Sequence, residues 1–307
     1  MNRAIAAVTA LLACGAGHAF GADRFALVVT GASGSPEHAA THAKRSAAIV
    51  SALSGPLALN PRNVVVLKDG PSASPETATR ENLRKAMTDL AARVTPEDVL
   101  LIVLLGHGTD DGSQAKYNVV GPDVTTDDWR DMLKPLRGRL VFINTTSASA
   151  AFLSRLAGPQ RVVITATDTP AQQYDTVFAE YLGPALNSND ADLDKDGRVS
   201  IGEAFTQVSA QVKQYYSERG QLATERSVLD DDGDGRGKQA GTAGPDGSLA
   251  SRTFFDPGPE LAATKDTALS ELLARRNALE TTLDELKRKK EFMPEADYNR
   301  EMERVLL

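Results

Sequence analysis

The sequence predicts an α/β fold built on a mostly parallel central sheet. Three observations predict it. Short apolar runs rich in Val, Ile and Leu recur along the chain (residues 24–30, 64–67, 99–105, 140–144 and 161–167). Stretches of helical length separate them. The runs are continuously apolar rather than alternating, as strands covered on both faces require.

In chain order, the first segment reads as a targeting signal. Arg3 supplies the positive end, residues 4–13 a short apolar core, and Gly17-His18-Ala19 a cleavage site. The apolar core is too short for a stable membrane span. Leu11-Leu12-Ala13-Cys14 resembles a bacterial lipobox, so Cys14 is either a lipidated first residue or an incidental cysteine in a cleaved peptide. Residues 1–22 form this signal. Residues 23–188 form the α/β domain, 189–258 an acidic region with a helix, and 259–307 a helical tail.

Strand 24–30 leaves through Gly31-Ala32-Ser33-Gly34, a glycine-rich turn without the spacing of a phosphate-binding loop. A helix follows over about 36–53. His38 and His42 share one face of it at i, i+4, a spacing that can hold a metal. No third ligand stands nearby in sequence, and the pair is expected to be exposed. Strand 64–67 precedes a helix over 75–93 with Leu83, Met87 and Leu90 on one stripe. Strand 99–105 ends in Gly106-His107-Gly108. A short helix over 123–136 carries Trp129, Met132 and Leu133, and strand 140–144 runs into Thr145, Thr146, Ser147 and Ser149. Helix 148–156, strand 161–167 and helix 173–186 complete the alternation.

Residues 192–203 (DLDKDGRVSIGE) match the EF-hand calcium loop. Asp192, Asp194 and Asp196 occupy positions 1, 3 and 5, and Gly197 makes the turn at 6. Arg198 offers its carbonyl at 7, Ser200 ligates directly or through water at 9, and Glu203 closes at 12. Helices 173–186 and 201–218 flank the loop. Residues 230–235 (DDDGDG) open the same way, but Gly241 stands at the twelfth position, so a tight charged turn is favoured over a second ion site. In the tail, Leu272, Leu279, Leu286 and Met293 recur every seven residues, and Pro294 starts a second short helix. A helical hairpin is expected there, with a dimerising seam as the alternative.

The net charge of −7 argues against nucleic acid, since no basic patch of the needed size accompanies it. The one basic run, residues 287–290, lies on the helical tail and reads as a solvated face. Cys14 is the single cysteine. The mature, exported protein therefore has no thiol nucleophile and no disulfide.

A strand ending in Gly106-His107-Gly108, a helix-bearing insert, a strand ending in residues 143–152 (INTTSASAAF), and the strand 161–167 with Thr169-Pro170 after it resemble the legumain and caspase superfamily of cysteine peptidases. The resemblance covers roughly residues 25–186. It implies a caspase-like three-layer sandwich, with His107 as general base and the adjoining glycines, Gly108 among them, helping to hold a substrate oxyanion. The position of the family's cysteine falls on Thr146.

A hydroxyl is a far weaker nucleophile than a thiol and needs an adjacent base. Ser147 is the better nucleophile chemically, but a shift of one residue turns its side chain elsewhere. Ser147 and Ser149 also suit helix N-capping. Two functions follow. One is a non-catalytic pseudopeptidase, a calcium-stabilised module that binds a peptide or protein partner. The other is a hydrolase using Thr146 or Ser147 with His107 as base.

Overall fold

The computed structural model describes residues 22–257, isolated helical positions between 272 and 286, and residues 293–306. The targeting segment with Cys14 and most of the heptad region lie outside the described residues.

Among the described residues, strands β1 (Arg24–Thr30), β2 (Val64–Leu67), β3 (Val99–Leu105), β7 (Arg139–Asn144), β8 (Arg161–Thr165) and β9 (Val228–Asp230) form one six-stranded sheet. Its order is β2-β1-β3-β7-β8-β9, parallel throughout except for β9. The α/β reading with a mostly parallel sheet is thus correct. The antiparallel edge strand, only three residues long, was not expected.

Period-two alternation divides each strand between two cores. Ala26, Val28, Leu101, Val103, Val141 and Ile143 point to one face. There they meet α1 (Pro36–Ser54), α5 (Phe178–Ala185) and α6 (Ile201–Glu218) through Ile49, Leu53, Phe178, Leu182, Phe205 and Val208. Leu27, Leu100, Ile102, Leu104 and Phe142 point to the other. That face is covered by α2 (Arg80–Ala91), α3 (Thr126–Leu133) and α4 (Ala150–Leu156) through Leu83, Met87, Trp129, Leu133, Phe152 and Leu156. Trp129 crosses Phe142 edge-on at 5.2 Å, the T-shaped geometry that aromatic quadrupoles favour.

Between β3 and α3 the chain makes a small three-stranded sheet: β4 (Gly108–Asp110), β5 (Ala115–Tyr117) and β6 (Val124–Thr125). Tyr117 leaves it to fill the gap where β1 and β3 end. Its buried hydroxyl oxygen lies 2.8 Å from Leu105 O and 3.0 Å from Val29 O. The insert also forbids a side chain at Gly31, where a Cβ would stand 2.1 Å from Asn118 O.

Helices α2 and α5 each start five residues later than the apolar pattern predicts. Helix α2 begins at Arg80 because Thr79 Oγ1 caps it, accepting from Asn82 N. Helix α5 begins at Phe178 rather than Gln173, which frees the preceding residues to form a loop over the sheet edge. In the tail, α7 (Glu295–Leu306) starts just after Pro294 and buries no residue.

Candidate functional site

The chain leaves β1 toward β2 on one side and later toward β3 on the other, so the strand order reverses between β1 and β3. In open parallel sheets that switch point opens a crevice at the carboxyl edge. Residues after β1 and β3 therefore face each other there: Ser33 and the start of α1 from one strand, His107 from the other.

His107 holds the position expected of it, at the end of β3, but not the partners. Its Nε2 lies 3.2 Å from the carbonyl of Ser33, and its Nδ1 lies 3.3 Å from Asp175 Oδ1. His38 Nε2 reaches the other carboxylate oxygen, Asp175 Oδ2, at 3.0 Å. His42 stands 5.2 Å from the His107 ring, centroid to centroid, and His38 stands 4.9 Å from it. His42 Nδ1 lies 3.3 Å from Ser33 Oγ.

The expectation that His38 and His42 form an exposed pair is corrected here. His42 is 5% exposed and His38 is partly covered. The i, i+4 spacing identified a face of α1, and that face turns onto the switch point, where His107 and Asp175 cover it. Burial, with His107, Arg45 and His38 nearby, pushes the His42 imidazole down to about 4, so it is neutral near neutral pH.

Asp175 belongs to the loop between β8 and α5. Thr176 Oγ1 donates to Thr145 O, Arg45 Nη1 donates to Thr176 O at 3.1 Å, and Glu225 Oε2 accepts from Val177 N at 2.6 Å. These bonds fix the loop immediately after Asp175 while its own side chain stays 60% exposed. A cavity of about 770 Å³ opens beside the cluster, lined by His38, His42, Arg45, Tyr174, Asp175 and Tyr215 among others.

The hydroxyl cluster after β7 is a different environment. Thr146 is fully buried, and its Oγ1 donates to Asn144 Oδ1 (2.8 Å) or Ser147 O (3.1 Å). Ser147 Oγ donates to Gly108 O at 3.0 Å and accepts from Gly108 N at 3.4 Å. Gly108 thus turns its amide onto Ser147. A Cβ on Gly108 would come within 2.4 Å of Ser147 O and 2.6 Å of Thr146 Oγ1. Ser149 precedes α4 but makes no capping bond; its Oγ pairs with Thr167 Oγ1 at 3.0 Å. The capping role expected of Ser147 or Ser149 is therefore not what these hydroxyls do. The base beside nucleophiles that the sequence brings to mind is, in space, two separate clusters on one sheet edge.

The two acidic loops lie apart from this edge. Asp192, Asp194 and Glu203 bring carboxylate oxygens within 4.8 Å of one another, and so do Asp230, Asp232 and Asp234. In the first loop Glu203 also closes a capping box on α6, its Oε2 accepting from Ser200 N at 2.8 Å. Asp196 Oδ1 accepts from Arg198 N at 2.8 Å. The Arg198 guanidinium turns out to meet Asp256 through three contacts of 2.7–3.0 Å and lies 3.8 Å over the Phe254 ring. In the second loop Asp230 Oδ2 accepts from Gly235 N at 2.6 Å, and Asp246 accepts from Asp231 N at 3.0 Å. Burial, with Asp232 and Asp230 close by, pushes the Asp246 carboxyl up to about 6.

No family model matches the chain, and no curated protein matches it. Among solved structures it is similar to protein GSU0716 from Geobacter sulfurreducens, a structural-genomics target. The identity is 13% and the TM-score 0.45, over 76% of this chain and 98% of that one.

Sequence reasoning missed Asp175 and Ser33. No pattern marks Asp175, which stands far along the chain from the histidines it meets. The glycine-rich turn after β1 was the only pointer to Ser33.

Proposed function

We propose that this chain is an exported protein of the caspase/legumain-like fold that has lost peptidase chemistry and acts as a calcium-stabilised binding or scaffold module. One observation carries the reading: the hydroxyls standing where a nucleophile is expected are sealed and satisfied. Thr146 is fully buried and Ser147 is 5% exposed, and both bond within the protein. A general base must come within about 2.6–3.2 Å of the proton it removes. Both His107 ring nitrogens face Ser33 and Asp175 instead. The alternative, a hydrolase using Thr146 or Ser147, requires these side chains to leave their partners and His107 to turn away from Asp175.

The Gly106-His107-Gly108 turn ending β3, the helix-bearing insert, and helices on both faces of the sheet support the family resemblance. The cavity at the carboxyl edge is where a peptide or protein partner would sit. Export rests on the segment preceding residue 23, and an anchor would rest on Cys14. The helical hairpin rests on α7 and the heptad leucines before it.

Calcium is favoured in the first loop by its chemistry. Asp192 Oδ1 is buried with no hydrogen-bond partner, beside the Asp194 and Glu203 carboxylates. An orphaned buried carboxylate oxygen is costly unless a cation meets it. Asp192, Asp194, Asp196, the Arg198 carbonyl, Ser200 and Glu203 would hold the ion, which would tie the end of the core to α6.

The test is to incubate the mature protein, with calcium, with a fluorophosphonate probe and peptide substrates, alongside His107→Ala. We expect neither labelling nor turnover. Labelling that disappears in His107→Ala replaces this reading with the hydrolase. In the same preparation Glu203→Gln should reduce the calcium-dependent rise in Tm, and an unchanged rise removes calcium from that loop.

A further inference from the structure

We infer that His38, His107 and Asp175 form a zinc site at the switch point of the sheet, with an open coordination position facing the adjoining cavity.

The first support is how the His107 ring is aimed. Ser33 O is a carbonyl and can only accept, so the 3.2 Å contact makes His107 Nε2 the donor. Nδ1 then faces a carboxylate oxygen 3.3 Å away. A positive charge between those two atoms, a proton or a metal cation, completes the contact. With a metal cation there, the Ser33 carbonyl plays the orienting part that backbone carbonyls play for zinc-bound histidines.

The second support is distance. With Zn–N and Zn–O bonds near 2.0–2.2 Å, neighbouring ligand atoms of a tetrahedron stand about 3.4 Å apart. His107 Nδ1 and His38 Nε2 stand 3.3 and 3.0 Å from the Asp175 oxygens, and one ligand atom from each of the three residues falls within 4.8 Å of the others. Two imidazoles and one carboxylate are the donor set of zinc sites that keep a fourth position for water or a ligand. The hard-cation loops of this chain offer oxygen ligands instead.

The third is support from the surroundings. His42 packs edge-on to His107 from the buried side, and Thr176 and Val177 are tied down beyond Asp175. His38 and Asp175 reach the site from partly open positions, with side chains 43% and 60% exposed, so an ion has a way in. The cavity lies on that open side. The inference goes beyond the pseudopeptidase reading and does not depend on it: a silent fluorophosphonate probe and a bound zinc are compatible, and so are their opposites.

The test uses the full mature protein in saturating calcium, which competes with zinc for the acidic loops, and titrates zinc against a chromophoric chelator. We expect one zinc per chain. His38→Ala, Asp175→Asn and His107→Ala should each weaken it by at least about tenfold, the lower end of what even an outer-sphere change costs a zinc site. Glu203→Gln and Asp232→Asn should leave it unchanged. Substituted Co²⁺ should show the intense visible bands of four-coordination, lost in His38→Ala, whose partly open position keeps the fold safe. Absence of zinc binding by the folded protein, or binding that survives His38→Ala and Asp175→Asn, overturns the site; the histidines and Asp175 are then a proton-bridged ion-pair network.

Discussion

Two clusters of polar side chains stand on the same edge of one sheet, one strand apart, and they could hardly be less alike. After β7, Thr146 and Ser147 are sealed, and both bond within the protein. Between β1 and β3, His38, His107 and Asp175 are partly open, with His107 Nδ1 and an Asp175 oxygen 3.3 Å apart. The first cluster looks reactive by residue type and is structural by environment. The second is marked in sequence only by Gly106-His107-Gly108 and the His38/His42 spacing, and it is completed by Asp175 from far along the chain. Residue identity proposes chemistry, but the fate of each lone pair and proton decides it.

The largest test of this contrast is Gly108→Ala. The added methyl would meet Ser147 O at 2.4 Å and Thr146 Oγ1 at 2.6 Å, and neither is the free end of a flexible chain. Overpacking of this kind costs about 3 kcal/mol. A fall of that size in the free energy of unfolding in urea is expected, with zinc affinity changed little once the protein is folded. If the variant is as stable as wild type, the hydroxyl cluster is loosely packed and the sealed-site argument fails.

The boundary between the clusters is the loop carrying Asp175 and Val177, and Glu225 holds it. Burial pushes the Glu225 carboxyl up to about 7, from an ordinary value of 4.5, against the N–H donors of Val177 and Phe178. The folded state therefore holds this proton more tightly than the unfolded state does. Its contribution is fully present below pH 4.5 and is lost as pH rises to about 7. At 1.36 kcal/mol per pKa unit, the loss is about 3 kcal/mol across that window. Glu225→Gln keeps an acceptor for Val177 N and should flatten this part of the stability–pH curve. An equally steep fall in the variant would assign the pH dependence to another group.

Much of the fold was legible because burial on both faces writes itself as unbroken apolar runs, as in 24–30, 99–105 and 140–144. The two- and three-residue strands β4, β5, β6 and β9 left no such trace, being too short for any period to register. The site was legible only in part. Gly106-His107-Gly108 identified one imidazole at a strand end, and i, i+4 spacing placed His38 and His42 on one face. Neither could say what covers that face. That depends on α1 packing over the switch point and on Asp175 arriving from the far side of β8, and both are facts of topology. Thr146 and Ser147 misled for the opposite reason. Their sequence context is that of a nucleophile, while their bonds to Asn144 and Gly108 exist only in three dimensions.

The smallest effect is the most discriminating. Ser147→Ala removes the hydroxyl that meets both the carbonyl and the N–H of Gly108 in a buried setting. Leaving such groups unpaired costs about 1–2 kcal/mol. Thr146→Val, which removes the donor to Asn144 Oδ1 and keeps the volume, should cost a similar amount. The sign matters more than the size. Residues held in place for catalysis are commonly poor for stability, and replacing them commonly raises it. Hydroxyls that serve the fold lower it when removed. A rise in Tm on either substitution would mean that these side chains are kept for chemistry, and the hydrolase would become the better account of this edge of the sheet.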